Sequence, residues 1–167
     1  MKEAKKMQFM IANKTDLPQI VNIYNQSIPT RLATADLKPV TVAERQEWFE
    51  VFNERYSIWK IMDEQKMWGW ISLRPFYGRA AYAPTAEISI YVDQSVQHQG
   101  VGQQALQFLE MQLPQRAIKN VVALIFSHNL ASINLFKRNN FEQWGHLPNI
   151  AILDGVQRSL DIWGRNY

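Results

Sequence analysis

A loop with two glycines joins a β-type run to a helical run, and such a loop can bind an anion. The β-type run covers residues 88–93 (ISIYVD), the loop residues 97–102 (QHQGVG), and the helical run residues 103–113. Glycine lets the backbone approach a ligand closely, and the start of a helix offers free N–H groups and a positive dipole end. The arrangement predicts a site for the phosphate groups of a ligand.

The same residues also fit the dinucleotide-binding pattern G-x-G-x-x-A, from Gly100 to Ala105. Two features argue against that interpretation. Residues 93–99 separate the strand from the first glycine, whereas a dinucleotide fold has the glycines in the turn directly after the strand. The next predicted strand ends in residues 125–127 (IFS), without the acidic residue that would bind a ribose. A phosphate ligand of another kind is favoured, and a tight turn without a ligand is the structural alternative.

A second polar cluster follows the next strand. Asn129 and Ser132 stand where a helix should begin, and short polar side chains there either cap the helix or reach a ligand. Asn140 stands where this helix must end in a left-handed residue, a position for which Asn commonly replaces Gly.

The elements that must position these residues predict a mixed α/β (α+β) fold with one central sheet and a single domain over residues 1–167. Apolar periodicity, capping residues and turn residues indicate where the elements lie. Strands are predicted over residues 7–12, 56–62, 66–73, 85–92 and 121–126, with a closing hairpin of 141–147 and 150–163; helices are predicted over 16–27, from 41 onward, over 103–113 and over 127–139.

Composition excludes several classes of function. The chain has 167 residues, 47% of them hydrophobic and 20% charged, which is typical of a globular domain. The absence of cysteine rules out disulfides and thiolate catalysis. His98, His128 and His146 are too far apart in sequence to suggest a metal site, so no metal is expected. A net charge of +3 without a basic block argues against nucleic acid. With no apolar run of membrane-spanning length and no signal-peptide pattern behind residues 1–6, a cytoplasmic location is expected.

These motifs resemble the GNAT superfamily of N-acetyltransferases. Its acetyl-CoA motif is present as Gln97-x-x-Gly100-x-Gly102, and its downstream Asn helix runs from Asn129 to Asn140-Phe141. The order of predicted elements is similar over essentially the whole chain. Within the superfamily, the chain resembles the phosphinothricin and methionine sulfoximine acetyltransferases; shorter segments carry that resemblance, namely residues 23–25, 45–49, 73–79 and 86–92.

The resemblance implies a twisted mixed sheet of about seven strands, four flanking helices and a V-shaped splay between the two middle strands. It also implies acetyl-CoA as co-substrate. The pantetheine arm would pair with Ile90, Tyr91 and Val92, and Asn129 would hold that arm with help from Ser132. The pyrophosphate would lie against the glycine loop, whose implied binding residues are Gln97, His98, Gln99, Gly100, Val101 and Gly102.

The resemblance also implies chemistry for an acyl transfer to an amine. The amine must lose a proton before it attacks, and Glu87 near the start of its strand is the candidate general base. A structural alternative pairs Glu87 with Arg74 or Arg79. The N–H of Tyr91 or Val92 could stabilise charge on the thioester oxygen. Many family members carry a tyrosine as general acid where this chain has Phe136, so the thiolate is expected to leave unaided.

For the acceptor, Arg74 and Arg79 flank a loop that contains Phe76 and Tyr77, and these four residues are the candidates. A guanidinium suits a carboxylate or phosphinate, although two solvated arginines on a surface loop are the structural alternative. Tyr24, Asn25 and Thr34 could line the same pocket or belong to the core.

The sequence thus predicts an N-acetyltransferase that acts on the α-amine of a small amino-acid-like molecule of the phosphinothricin or methionine sulfoximine type. The resemblance also implies a homodimer. Two alternatives stay open: a peptide or protein N-terminal acetyltransferase, and a non-catalytic acyl-CoA-binding sensor.

Overall fold

The computed structural model describes residues 7–167, so the expectation about residues 1–6 lies outside the described part. Seven strands form one mixed sheet in the order β1-β2-β3-β4-β5-β7-β6. The strands are β1 (Gln8–Ile11), β2 (Ile58–Asp63), β3 (Lys66–Pro75), β4 (Thr85–Val92), β5 (Asn120–Phe126), β6 (Glu142–Leu153) and β7 (Val156–Asn166). The helices are α1 (Leu17–Ser27), α2 (Gln46–Glu50), α3 (Val101–Gln112) and α4 (Leu130–Arg138).

The two middle strands separate along their length. β4 and β5 are the one parallel pair, and they are paired from Thr85 opposite Asn120 to Glu87 opposite Val122. Beyond Glu87, β4 pairs with β3 alone within residues 7–167, and β5 pairs with β7 alone. The predicted splay is confirmed, and it leaves one side of the β4 backbone free to bind a ligand as an added strand would.

Helices cover the sheet on both faces. On one face, α3 and α4 pack on alternate residues of β2 to β5 and form the larger core cluster, which includes Ile71, Ile88, Leu109 and Ile125. On the other face, α1 and α2 pack over Trp70. Because side chains alternate along a strand, β4 sends Ile88 to the larger core and Glu87 to the α1 face. The register of β4 therefore decides which of its residues can do chemistry.

The end of α4 follows the sequence prediction. Asn140 has a φ of 62°, in the left-handed region expected there. The preceding Asn139 exchanges two side-chain hydrogen bonds with Gln103 of α3, of 2.8 and 2.9 Å. These bonds tie the end of α4 to the start of α3.

The predicted break at residues 148–149 in the closing hairpin is wrong. β6 continues to Leu153, with a register irregularity between Leu147 and Ala151, and the turn is formed by Asp154 and Gly155. Both turn residues have positive φ, 51° and 79°. Asp-Gly is a preferred pair for such two-residue hairpin turns, and this local signal outweighs the proline at 148.

Two predicted helices are shorter in the structure. α4 begins at Leu130 rather than near residue 127, because Asn129 caps it. The capping pair Thr41 and Glu44 is present, and the Thr41 N–H donates a hydrogen bond of 2.6 Å to the Glu44 side chain. The α-helix that follows is only Gln46–Glu50. Within residues 7–167, no helix is both long and apolar enough to cross a membrane.

Candidate active site

A cavity of about 180 Å³ lies on the α1 face of the sheet, where β4 departs from β5. The register of β3 and β4 builds its floor, since Arg74 lies opposite Glu87 and Trp70 opposite Tyr91. Side chains of α1, of α2 and of the residue before α2 form its walls. The full lining is Ile20, Val21, Tyr24, Arg45, Trp48, Trp70, Arg74, Glu87, Ser89 and Tyr91.

Glu87 is the carboxylate of this cavity. Burial raises its pKa above the ordinary value of 4.5, and the Arg74 guanidinium on the neighbouring strand offsets part of the rise. No ion pair within 4.0 Å joins Glu87 to a cation among the described residues, so the predicted alternative of a structural ion pair is not what the geometry shows. A half-buried carboxylate with a raised pKa is suited to accept a proton.

Aromatic rings form most of the cavity wall. Tyr91 stacks on Trp70 with ring centroids 4.7 Å apart, and Tyr24 meets Tyr91 edge-on at 5.0 Å. The Arg45 guanidinium lies 4.8 Å from the Tyr24 ring centroid and forms a 2.6 Å ion pair with Asp36. Stacking and the ion pair hold these side chains in fixed places, so the cavity has a set shape.

A loop over residues 28–40, hereafter loop 28–40, is hydrogen-bonded to side chains of the cavity wall. Tyr91 Oη donates to the carbonyl of Ala33 (3.0 Å), and Asn129 Nδ2 donates to that of Leu32 (3.1 Å). At the far end of the loop, the Asn25 side chain donates to the Val40 carbonyl and accepts from its N–H, at 2.9 and 3.0 Å. The loop is therefore bound at both ends.

The glycine loop leads into α3, which begins at Val101, and its two glycines serve different purposes. Gly100 is the N-cap with a φ of 79°, and a methyl group there would meet no described atom within 4 Å. At Gly102, the same methyl group would lie 2.8 Å from Leu135 Cδ2 of α4. Gly100 thus leaves open space at the start of α3, whereas Gly102 lets α3 and α4 pack closely.

The Asn129 side chain is used within the fold. Its Oδ1 accepts from the N–H of Ser132 (3.2 Å) and caps α4, while its Nδ2 donates to loop 28–40. Of the two expectations from the sequence, the cap is what the structure shows. Phe136, at the position where many relatives have a tyrosine, is buried and packs edge-on against Phe141 at 4.8 Å.

Three residues expected at the acceptor lie outside this cavity. Arg74 lines it, but Phe76 and Tyr77 pack with Tyr82 in a separate aromatic cluster, and Arg79 is exposed in the same segment. The sequence interpretation did not include Arg45, Trp48 or Trp70 among the site residues. The alternation of β3 was the available signal, because it places Trp70 and Arg74 on one face.

Another depression, of about 410 Å³, lies among Ile11, Phe52, Glu54 and Arg116 and shares no residue with the cavity. It touches neither the splay nor the glycine loop. Residues 7–167 contain no cluster of three or more His, Asp or Glu side chains placed to hold a metal ion.

Comparison with known proteins identifies the fold and its family. A profile of the Acetyltransferase (GNAT) family matches residues 17–141. YwnH of Bacillus subtilis (strain 168), described as a candidate phosphinothricin acetyltransferase, is 41% identical over 160 residues, covering 95% of this chain and 98% of YwnH. The L-methionine sulfoximine/L-methionine sulfone acetyltransferase of Pseudomonas aeruginosa (strain PAO1) is 35% identical over 145 residues, or 84% of this chain and 83% of that protein.

A crystal structure described as a candidate phosphinothricin N-acetyltransferase is 40% identical and superposes with a TM-score of 0.94, covering 96% of this chain and 98% of that one. The chain therefore shares its fold, a seven-stranded mixed sheet with a splay and four helices, with that crystal structure. The chain belongs to the GNAT family and is an acetyl-CoA-dependent N-acetyltransferase related to the phosphinothricin and methionine sulfoximine acetyltransferases.

Proposed function

We propose that this enzyme acetylates the α-amine of a small amino-acid-like acceptor of the phosphinothricin or methionine sulfoximine type, with Glu87 as general base. One observation carries the proposal. Glu87 is the carboxylate of a small cavity, and it stands at the residue where β4 leaves β5. A base at this point faces both the acceptor cavity and the groove between the strands.

The residues divide the chemistry between the two sides of β4. Glu87 takes a proton from the acceptor ammonium, so that the neutral nitrogen can attack the acetyl carbonyl carbon. The N–H of Val92, which faces the splay, donates to the carbonyl oxygen as negative charge develops there; the Tyr91 N–H faces β3. Acetyl-CoA supplies the acetyl group as a thioester whose C–S bond breaks as the C–N bond forms. With Phe136 unable to donate a proton, the sulfur departs as a thiolate, and the nitrogen loses its second proton to solvent as the amide forms.

The groove and glycine loop fit acetyl-CoA. The splay leaves the backbone groups of Ile90 and Val92 without strand partners on the β5 side, which supports pairing with a pantetheine arm, whereas those of Tyr91 face β3. Open space above Gly100 and the start of α3 support a pyrophosphate site. The residues proposed for the cofactor are Ile90, Tyr91, Val92, Gln97, His98, Gln99, Gly100, Val101, Gly102, Asn129 and Ser132.

Gly100→Ala tests the pyrophosphate site. The methyl group would occupy the open space at the loop, and we expect acetyl-CoA to bind at least about tenfold more weakly, a loss of about 1.4 kcal/mol. Gly155→Ala is the matched control, because Gly155 has the same φ of 79° and the same open surroundings in the β6–β7 turn. Calorimetric titration with acetyl-CoA and thermal melts should show similar destabilisation in both variants and weaker binding in Gly100→Ala only. Equal affinities would remove Gly100 from the site.

The acceptor cavity favours a small molecule over a peptide. At about 180 Å³ it is smaller than the roughly 300–1,000 Å³ of pockets for drug-sized ligands. Arg74 and Arg45 offer guanidinium groups to an anionic substituent of the acceptor. Phe76, Tyr77 and Arg79 remain proposed acceptor residues only if the segment that holds them moves toward the cavity.

Thiol release from acetyl-CoA tests the acceptor class. We expect it to rise strongly with methionine sulfoximine or phosphinothricin and to stay near background with short peptides. A preference for peptides would contradict the proposal. Tight acetyl-CoA binding without turnover across a panel of amines would instead indicate a sensor, which the named acetyltransferase relatives do not favour.

The pH dependence of turnover follows from Glu87. Because burial raises its pKa above 4.5, kcat/KM should fall with decreasing pH at a midpoint above that value. Arg74 lowers this pKa, so Arg74→Gln should move the acid limb of kcat to higher pH. Initial rates across pH 4.5–8 with saturating acetyl-CoA would measure both. An acid limb that does not move in the variant would separate Arg74 from the electrostatics of the base.

We also propose a homodimer in the cytoplasm, where acetyl-CoA is available. One face of β5, β7 and β6 has no helix over it in the described chain, and Leu124 and Trp144 there are each 43% exposed. A second copy of the chain would cover these two side chains. Light scattering after gel filtration would give the mass, and Leu124→Lys should shift it to that of a monomer.

A further inference from the structure

Three consecutive carbonyl groups of loop 28–40 bind side chains on both sides of the splay. The Ala33 carbonyl accepts from Tyr91 on β4. The Leu32 carbonyl accepts from Asn129, and the Arg31 carbonyl lies 2.7 Å from His128 Nε2, both residues that follow β5. The segment 31–33, called the strap below, therefore bridges the mouth of the splay.

His128 has no part in the proposed chemistry, yet the geometry defines its state. A carbonyl oxygen can only accept a hydrogen bond, so Nε2 must carry the proton that it donates to Arg31. The other ring nitrogen, Nδ1, is buried and has no hydrogen-bond partner in residues 7–167. The hydrogen bond from Nε2 to the strap is thus the one hydrogen bond that the imidazole makes within residues 7–167.

The strap leads directly to the acceptor cavity. Immediately after it, Thr34 lies 2.5 Å from the hydroxyl of Tyr24, and Asp36 holds Arg45 at 2.6 Å. Tyr24 and Arg45 both line the cavity. A displacement of residues 31–33 would reach the cavity wall through two residues and two hydrogen bonds.

We propose that His128 is a positioning residue for the acceptor: its Nε2 holds the strap, and the strap holds the cavity wall formed by Tyr24 and Arg45. The proposal rests on the assignment of this cavity to the acceptor. It differs from the role of Asn129, because Asn129 also caps α4, whereas the hydrogen bond of His128 is to loop 28–40 alone.

His128→Leu and His128→Gln test the role of the donor. Leucine fills similar space without a donor and leaves the Arg31 carbonyl unpaired, whereas the glutamine amide can donate from nearly the same reach. We expect His128→Leu to raise the acceptor KM about tenfold, with kcat and the acetyl-CoA dissociation constant each within about threefold of the wild type. His128→Gln should restore the acceptor KM to within about threefold, because the buried Nδ1 has no partner to lose.

Hydrogen–deuterium exchange gives a readout that does not depend on turnover. In His128→Leu, amides of loop 28–40 should exchange at least about tenfold faster, while amides of α3 and β5 stay unchanged. Asp154→Asn is the matched control, because Asp154 binds the side chain of the same residue, Arg31, at 2.7 and 3.1 Å from an exposed position. Exposed ion pairs contribute little, so its exchange and KM should stay at wild-type values.

Each outcome bears on the proposal. Unchanged exchange in His128→Leu, a glutamine variant as impaired as the leucine variant, or a loss confined to acetyl-CoA affinity would overturn it. If leucine at 128 prevents folding, the glutamine variant and its exchange pattern decide the question alone. If the wild type acetylates none of the amino-acid acceptors, the proposed function fails, but faster exchange of loop 28–40 would still show that His128 holds the strap.

Discussion

Glu87→Gln is expected to lower kcat by about 10²–10⁴-fold, the usual contribution of a general base. Glutamine has nearly the same shape as glutamate, so it should leave the cavity and the glycine loop intact and acetyl-CoA affinity unchanged. Steady-state rates with a saturating amino-acid acceptor, together with calorimetric titration of acetyl-CoA, would measure the two effects separately. The residual rate should also lose the acid limb that the wild type shows.

The stability of the same variant provides an internal control. Burial raises the pKa of Glu87, so the folded protein binds this proton more tightly than the unfolded chain does. The contribution of the protonated group to stability is therefore full below pH 4.5 and is lost as pH rises through the native pKa. At pH 7 the ionised glutamate is unfavourable in the fold, and Glu87→Gln should melt at the same temperature as the wild type or higher. A large drop in melting temperature would point to a structural role, and full activity across the pH range would show that Glu87 is not the base.

Gly69→Ala is expected to have the largest effect on stability. Gly69 pairs with Val92 across β3 and β4, and a methyl group on it would lie 2.5 Å from the Tyr91 carbonyl oxygen and 3.3 Å from Val92 Cα. Both neighbours are backbone atoms, so the strands must move apart. We expect a loss of about 1–3 kcal/mol, which lowers the melting temperature by several degrees in a domain of this size. Acetyl-CoA should also bind more weakly, because the shift occurs at the residues proposed for pantetheine.

Gly145→Ala is the matched control for that substitution. Gly145 also lies in a strand, but a methyl group on it would meet the side chain of Ile162, with the nearest atom at 3.3 Å. A side-chain methyl group can move where a backbone carbonyl cannot, so the change in unfolding free energy should stay within about 1 kcal/mol. If both variants lose equal stability, crowding at the Tyr91 carbonyl is not the cause.

Features that depend on neighbours in sequence were predictable for this chain. The left-handed residue at Asn140, the glycine loop before α3 and the Thr41–Glu44 capping pair each rest on residue types within a few positions of one another. The Asp154–Gly155 turn carried an equally local signal, but the sequence interpretation placed the turn of the hairpin at residues 148–149.

The composition of the acceptor cavity could not be predicted in the same way. Arg45 reaches it from the start of a five-residue helix and Tyr24 from α1, and both join Glu87 only through tertiary packing. Phe76, Tyr77 and Arg79 were expected there because they follow Arg74 closely in sequence. β3 ends at Pro75, however, and the chain beyond it forms its own aromatic cluster.

The separation of β4 from β5 also creates two strand edges in the interior of the sheet. Beyond Glu87, the described part of β4 has backbone groups on one side that no strand pairs. An unpaired edge invites pairing with another chain, and most folds keep such edges short or confine them to the perimeter. In the proposed mode of binding this edge must stay open for the pantetheine arm, so its protection falls to the bound ligand. Coenzyme A at 100 times its Kd would stabilise the fold by about 2.7 kcal/mol and would shield the edge at the same time. The bound acetyl-CoA or coenzyme A would then also protect the enzyme from aggregation, and the enzyme should aggregate least when this ligand is bound.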